Sequence, residues 1–133
     1  MSQENVELLQ RAYEYWNTDE ADQWLALFHP DIEFIPSGVF PGLDPVYRGH
    51  AGMARFRDEM LEAWEHFHID TTKFLDRGEF LGVELRFRGK GKTSGVEVDL
   101  NFHHGVRIRD GLIYRLSSNE DLDEALEAVG MRN

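Results

Sequence analysis

Six histidines and no cysteine set the chemistry open to this 133-residue chain. Without a thiol there is no disulfide framework, no thiolate metal site and no cysteine nucleophile. His103 and His104 stand side by side in LNFHHGVRIRDG, residues 100–111. The alternation around them predicts a β-strand, whose successive side chains point to opposite faces, so the two imidazoles cannot serve one substrate. Val96, Val98, Leu100, Phe102, His104, Val106 and Ile108 make one face, apolar except for the imidazole. Glu97, Asp99, Asn101, His103, Gly105, Arg107 and Arg109 make the other, which is polar. His104 is thus expected to point in and His103 out. An inward imidazole suits general acid–base work, its ordinary pKa being about 6.5. It also suits a core histidine hydrogen-bonded to a neighbour. An apolar surround favours its neutral form.

Other polar candidates are weaker. His66 and His68 share a strand face at a spacing that can chelate a metal, yet no third ligand accompanies them. They read as solvated strand residues, and neither a metal nor a cofactor is expected. Arg57, beside Phe56, is placed either at a pocket mouth to hold a carboxylate or enolate oxygen, or in a surface pair with Asp58 or Glu62. Glu33 alternates away from Phe34, and the run EDLDEALE is a solvated helix face.

The elements that must position these residues follow from periodicity. Ser2 is a candidate cap for a first helix carrying Val6, Leu9, Tyr13 and Trp16 at helical spacing. Asn17 or Thr18 caps a second, with Ala21, Trp24, Leu25 and Phe28, which Pro30 is expected to end. DIEFIP predicts a short strand, SGVFPGLDPVYRG a loop, and a third helix begins near His50 with Met53, Phe56, Met60 and Trp64 as its stripe. HFHIDTTKFL and FLGVELRFRG predict strands, the latter with Leu81, Val83, Leu85 and Phe87 on one face. GKGKTSG reads as an exposed hairpin loop and Asp110-Gly111 as a two-residue hairpin turn. LIYRLSSN returns as the last strand, and Ser118 with Asp121 matches a capping box for a closing helix that Gly130 stops.

Helices segregated on one face of an antiparallel sheet define the α+β class. The strand from Val96 to Arg109 is far longer than the usual 5–6 residues or so, and must bend, with Gly105 as the expected bulge or kink. A curved sheet roofed by helices encloses a cone-shaped pocket. Residues 1–133 are read as one domain. A net charge of −11 argues against nucleic acid and against an anionic membrane surface. No window approaches the ~20 apolar residues of a spanning helix, and no export signal is evident in MSQENVELLQ. A cytoplasmic protein is expected.

The segments WLALFHPDIEFIP, VYRGHAGMARF and VRIRDGLIYRLSSNEDLDEALEAVG resemble the SnoaL-like branch of the nuclear transport factor 2-like superfamily. The resemblance implies a cone-shaped, curved antiparallel sheet with helices packed on its concave face. It also implies a homodimer paired through the convex sheet face, where Glu97, Asp99, Asn101, His103 and Arg107 would lie. The same cone hosts cyclases, isomerases and dehydratases. Matched to ketosteroid isomerase, which uses an Asp base with a Tyr and a protonated Asp as oxyanion hole, the base position falls on Pro36. The helix-one tyrosine falls on Ala12 and the oxyanion acid on His104. The isomerase base is therefore not carried over. The expected site is an apolar small-molecule pocket lined by Trp16, Phe34, Met60, Trp64, Phe102 and His104, with Tyr47 and Arg57 toward its entrance. His104 is the candidate catalytic residue. Cofactor-independent acid–base chemistry on a polyketide-like or cyclic ketone substrate is one expectation. A non-catalytic binder of a hydrophobic metabolite and a dimeric interaction domain with a filled cone are the others.

Overall fold

Period-two patterning in the second half of the chain dictates a sheet, and helical stripes in the first half dictate its cover. The computed structural model describes residues 2–132. In order, the elements are α1 (Ser2–Asn17), α2 (Ala21–Leu25), β1 (Phe28–Ile35), β2 (Tyr47–Arg48), α3 (Gly49–Ala63), β3 (Trp64–Arg77), β4 (Phe80–Gly91), β5 (Glu97–Arg109), β6 (Leu112–Asn119) and α4 (Leu122–Ala128). The Ser2 side chain, expected to cap α1, lies outside the described residues.

Six strands form one open sheet in the order β2-β1-β6-β5-β4-β3. Every neighbouring pair is antiparallel except β1 with β6, which is parallel. The sheet is therefore mixed at that seam, where the helical half of the chain is stitched to the meander. β4 turns its expected stripe inward, with Leu81, Val83, Leu85 and Phe87 all fully buried. Each such side chain contributes about 1.5–3 kcal/mol. On β5, Phe102, His104, Val106 and Ile108 are buried, whereas Val98 and Leu100 are half-buried. Val96 precedes the strand and is 58% exposed, because that hairpin end runs past the helical roof.

Several boundaries differ from the sequence reading, each for a local reason. Pro30 does not end a helix: α2 stops at Leu25, and Pro30 lies inside β1. There the register to β6 shifts between Phe28 and Glu33, the irregular kind of position a strand proline tolerates. Trp64 is not the last residue of the α3 stripe but opens β3, its φ of −118° already extended. The loop after β1 ends in a two-residue edge strand, Tyr47–Arg48, that composition gave no hint of. The cap of α4 is Asp121, whose carboxylate accepts from Glu124 N at 3.0 Å; Ser118 stays in β6. Gly130, with φ of +103°, does follow the helix as expected. The turn at Asp110 and Gly111 has positive φ at both residues, 55° and 72°, as a tight hairpin requires.

The helices α1–α3 cover the face that carries His104. Against the opposite face lies α4, where Ser117 Oγ donates to Ala125 O at 2.6 Å. Gly105 faces α4 and is not a bulge: it pairs in register with Gly82 and Ser117, and the register shift against β6 falls between Arg107 and Ile108. Its missing side chain is what lets the helix approach, since a Cβ there would stand 2.0 Å from Ala125 O.

Candidate functional site

Between the helical roof and the sheet is a cavity of about 60 Å³, room for roughly four water-sized spheres. Its wall is almost wholly apolar and includes Trp16, Trp24, Phe28, Phe34, Phe56, Phe87 and Phe102. One corner is polar, and three elements build it. Helical spacing places Tyr13 one turn before Trp16 on the inner face of α1. His104 comes from β5, and Ser118 lies directly across from it on β6. All three line the cavity.

Tyr13 Oη and His104 Nδ1 are 2.6 Å apart, and the rings stack at 5.7 Å between centroids. A phenol is a much stronger acid than a neutral imidazole N–H, so Tyr13 donates and Nδ1 accepts. That fixes the tautomer, leaving Nε2–H as the donor available to a guest. The Ser118 hydroxyl adds a second polar group there. Burial, with a smaller contribution from His103, pushes the His104 pKa down to about 3. Burial likewise pushes the Tyr13 phenol up. Both groups are therefore neutral near pH 7, and the corner can polarise a carbonyl by hydrogen bonding rather than by full charge.

The depressed His104 pKa has a consequence for stability. The unfolded chain binds a proton at this residue below about pH 6.5, while the folded chain resists until about pH 3. His104 thus contributes its full stabilising difference above the unfolded pKa and loses it as pH falls toward 3. Between pH 7 and pH 4 the wild type should lose on the order of 3 kcal/mol relative to His104→Phe, whose ring does not titrate. Urea unfolding of both proteins at the two pH values checks this; parallel pH profiles would refute it.

Of the residues singled out in the sequence, Trp16, Phe34, Met60, Phe102 and His104 lie on the cavity wall. Tyr47, Arg57 and Trp64 stand off it. Tyr47 is fully buried between β1 and α3, its hydroxyl donating to Glu59 Oε1 at 2.5 Å and accepting from Asp44 N at 3.0 Å. Arg57 is 4% exposed and pairs with Asp19, not with Asp58 or Glu62. Its guanidinium lies 4.8 Å from the Trp16 ring and 5.7 Å from Trp24, a partial substitute for water on a buried cation. Trp64 touches Phe40 and Phe87 further along the sheet. Glu33 is on the outside, near Arg48 and Arg115. His66 and His68 line an exposed groove with Arg88 and Asp99, and among the described residues no group of three or more metal-ligating side chains comes together.

The open mixed sheet with α1–α3 on one face is the nuclear transport factor 2-like fold. Residues 9–116 match the model of the SnoaL-like domain family, so the chain belongs to that family. Among solved structures, TerC crystallised with polyporic acid is 23% identical with a TM-score of 0.79, over 96% of this chain and 99% of that one. A nuclear transport factor 2-like protein of unknown function from Burkholderia pseudomallei is 22% identical with a TM-score of 0.81, over 96% and 98%. A hypothetical protein of ketosteroid isomerase-like fold from Catenulispora acidiphila, in complex with trimethylamine, is 16% identical with a TM-score of 0.76, over 95% and 94%. At these identities the likeness is one of fold. No curated protein gives a significant match. Among the described residues no helix is long and apolar enough to cross a membrane.

Proposed function

We propose that this cytoplasmic protein binds a small, largely apolar cyclic ketone or polyketide-like molecule in the cone, its carbonyl oxygen held by His104 Nε2–H and Ser118. The observation that carries this is the polar corner of Tyr13, His104 and Ser118 in an otherwise apolar cavity. Chemistry on such a guest would be cofactor-independent enolisation. His104, kept neutral and oriented by Tyr13, would stabilise the developing enolate oxygen. A suitable test is the shift of the double bond in cyclohex-3-enone to cyclohex-2-enone, in which the α-carbon proton passes to water and water returns one to the γ-carbon. Conjugation is followed by ultraviolet absorbance. Binding is followed by quenching of Trp16 and Trp24, which lie in the wall.

One observation favours the second reading, a non-catalytic binder: no carboxylate is among the residues that line the cavity. Quenching without turnover, at a saturating concentration of the ketone, would decide for it. An absence of both would refute the pocket reading altogether.

We further propose a homodimer through the convex sheet face. Beside α4 this face leaves Glu97, Asp99 and Asn101 exposed, next to Arg86 and Arg88, which pair with Asp99 and Asp70. Isologous pairs are the commonest closed assemblies. Sedimentation equilibrium should give twice the chain mass of 15.5 kDa at micromolar concentration; a stable monomer there would refute it.

A further inference from the structure

We infer that Phe40 is the residue that sets which ligands the cavity takes, because its ring stands where the second ring of a guest would lie. This rests on the cavity being the ligand site. Every other lining residue belongs to a helix or strand; Phe40 comes from the loop between β1 and β2. Its ring meets Phe87 at 4.7 Å, Phe102 at 5.7 Å and Trp64 at 6.2 Å, each edge to face. A flat ring of a ligand offers the same edges and faces, so those contacts are exchanged rather than lost when Phe40 leaves. Phe102 in turn meets His104 edge to face at 5.4 Å. A guest in the place of Phe40 is therefore one ring away from the polar corner.

The loop is built to let this ring go. Its ends are fixed: Pro36 is buried, and Asp44 pairs with Arg55 while its N–H donates to Tyr47 Oη. Between them no strand ladder holds the backbone; Val39 N donates to Pro36 O at 3.2 Å. Ser37, Gly38 and Gly42 turn the chain with positive φ. Phe40 is held mainly by its ring contacts. A guest of one ring fits behind it, and a guest of two fused rings binds only with Phe40 withdrawn. The apparent affinity for the larger guest is reduced by the fraction of molecules in that state.

The test compares cyclohex-2-enone with 1-tetralone, which carries the same type of carbonyl on two fused rings, using tryptophan quenching of the full chain. Phe40→Ala should raise 1-tetralone affinity and association rate by about tenfold, with cyclohex-2-enone affinity changing far less. Phe40→Trp should lower 1-tetralone binding. Thermal melts check folding, and Phe40→Leu, smaller and still apolar, carries the same comparison should the alanine variant not fold. If both probes bind but their affinity ratio is the same in wild type and variants, Phe40 is not the selecting residue while the cavity reading survives. If neither probe binds wild type or variant, the cavity reading falls and takes this one with it.

Discussion

Gly105→Ala is expected to destabilise the protein by about 3 kcal/mol or more, a fall on the order of 10 °C in Tm. The added methyl would stand 2.0 Å from Ala125 O, 2.4 Å from Ala125 C and 2.9 Å from Leu126 N. These are backbone atoms of α4, which cannot swing aside as a side-chain tip can. The helix must lift, and with it go the burial of Ala125, Leu126 and Val129 and the bond from Ser117. Gly82→Ala is the control. Its Cβ would meet Leu122 Cδ1 at 2.5 Å, the free end of a leucine, so a loss of about 1 kcal/mol or less is expected there. Calorimetric melts of the two variants check the contrast, and a Gly105→Ala melt close to wild type would mean that α4 does not seat here.

The second large effect concerns turnover. If the proposed enolisation occurs, His104→Ala should slow it on the order of 10²–10⁴-fold while leaving the far-ultraviolet dichroism unchanged. The alanine also opens a hole beside Phe102, so loss of rate alone does not separate chemistry from packing. His104→Phe does. A phenyl ring fills the space but offers no N–H, so it should recover much of the stability at neutral pH and none of the rate. Tyr13 then loses its partner, which sets a ceiling on the recovery. His104→Phe with wild-type turnover would make His104 a packing residue, and His103→Ala should leave binding and turnover alone.

The inward face of β4 and β5 could be read residue by residue because a period of two admits one phase, and a slip would have exposed Leu81 to Phe87 together. The same logic placed His104 inside. Its partners were harder to see. Tyr13 sits in the stripe of α1 at the spacing of a core residue, and nothing local says where its hydroxyl ends. The signal was there in a general form, since a buried phenol needs a partner. The family resemblance pointed one residue away, at Ala12. Ser118 was hidden by a bulge. Counting back from the turn at Asp110-Gly111 pairs His104 with Ser117. The register shifts between Arg107 and Ile108, and that single step brings Ser118 to the cavity and sends Ser117 to α4. A bulge adds one unpaired residue and bends the strand, and no short window encodes where it falls. Arg57 found its partner 38 residues away at Asp19, which holds a positive φ of 61° in the turn after α1. Helical spacing considers only near neighbours and could not have named it.

The order of the strands bears on whether the sheet can grow at its edges. An open sheet has two borders whose unpaired amides invite growth by strand addition. One border here is β2, two residues long. The other is β3, fourteen residues long, which would be a hazard if it were regular. Its register against β4 shifts twice, between Trp64 and His66 and between Thr71 and Lys73, so its outer row of amides is twisted out of line. Charged and polar side chains, among them Glu65, His66, His68 and Lys73, stand exposed along it. Neither border offers a straight template, so both edges are blunted against growth by strand addition.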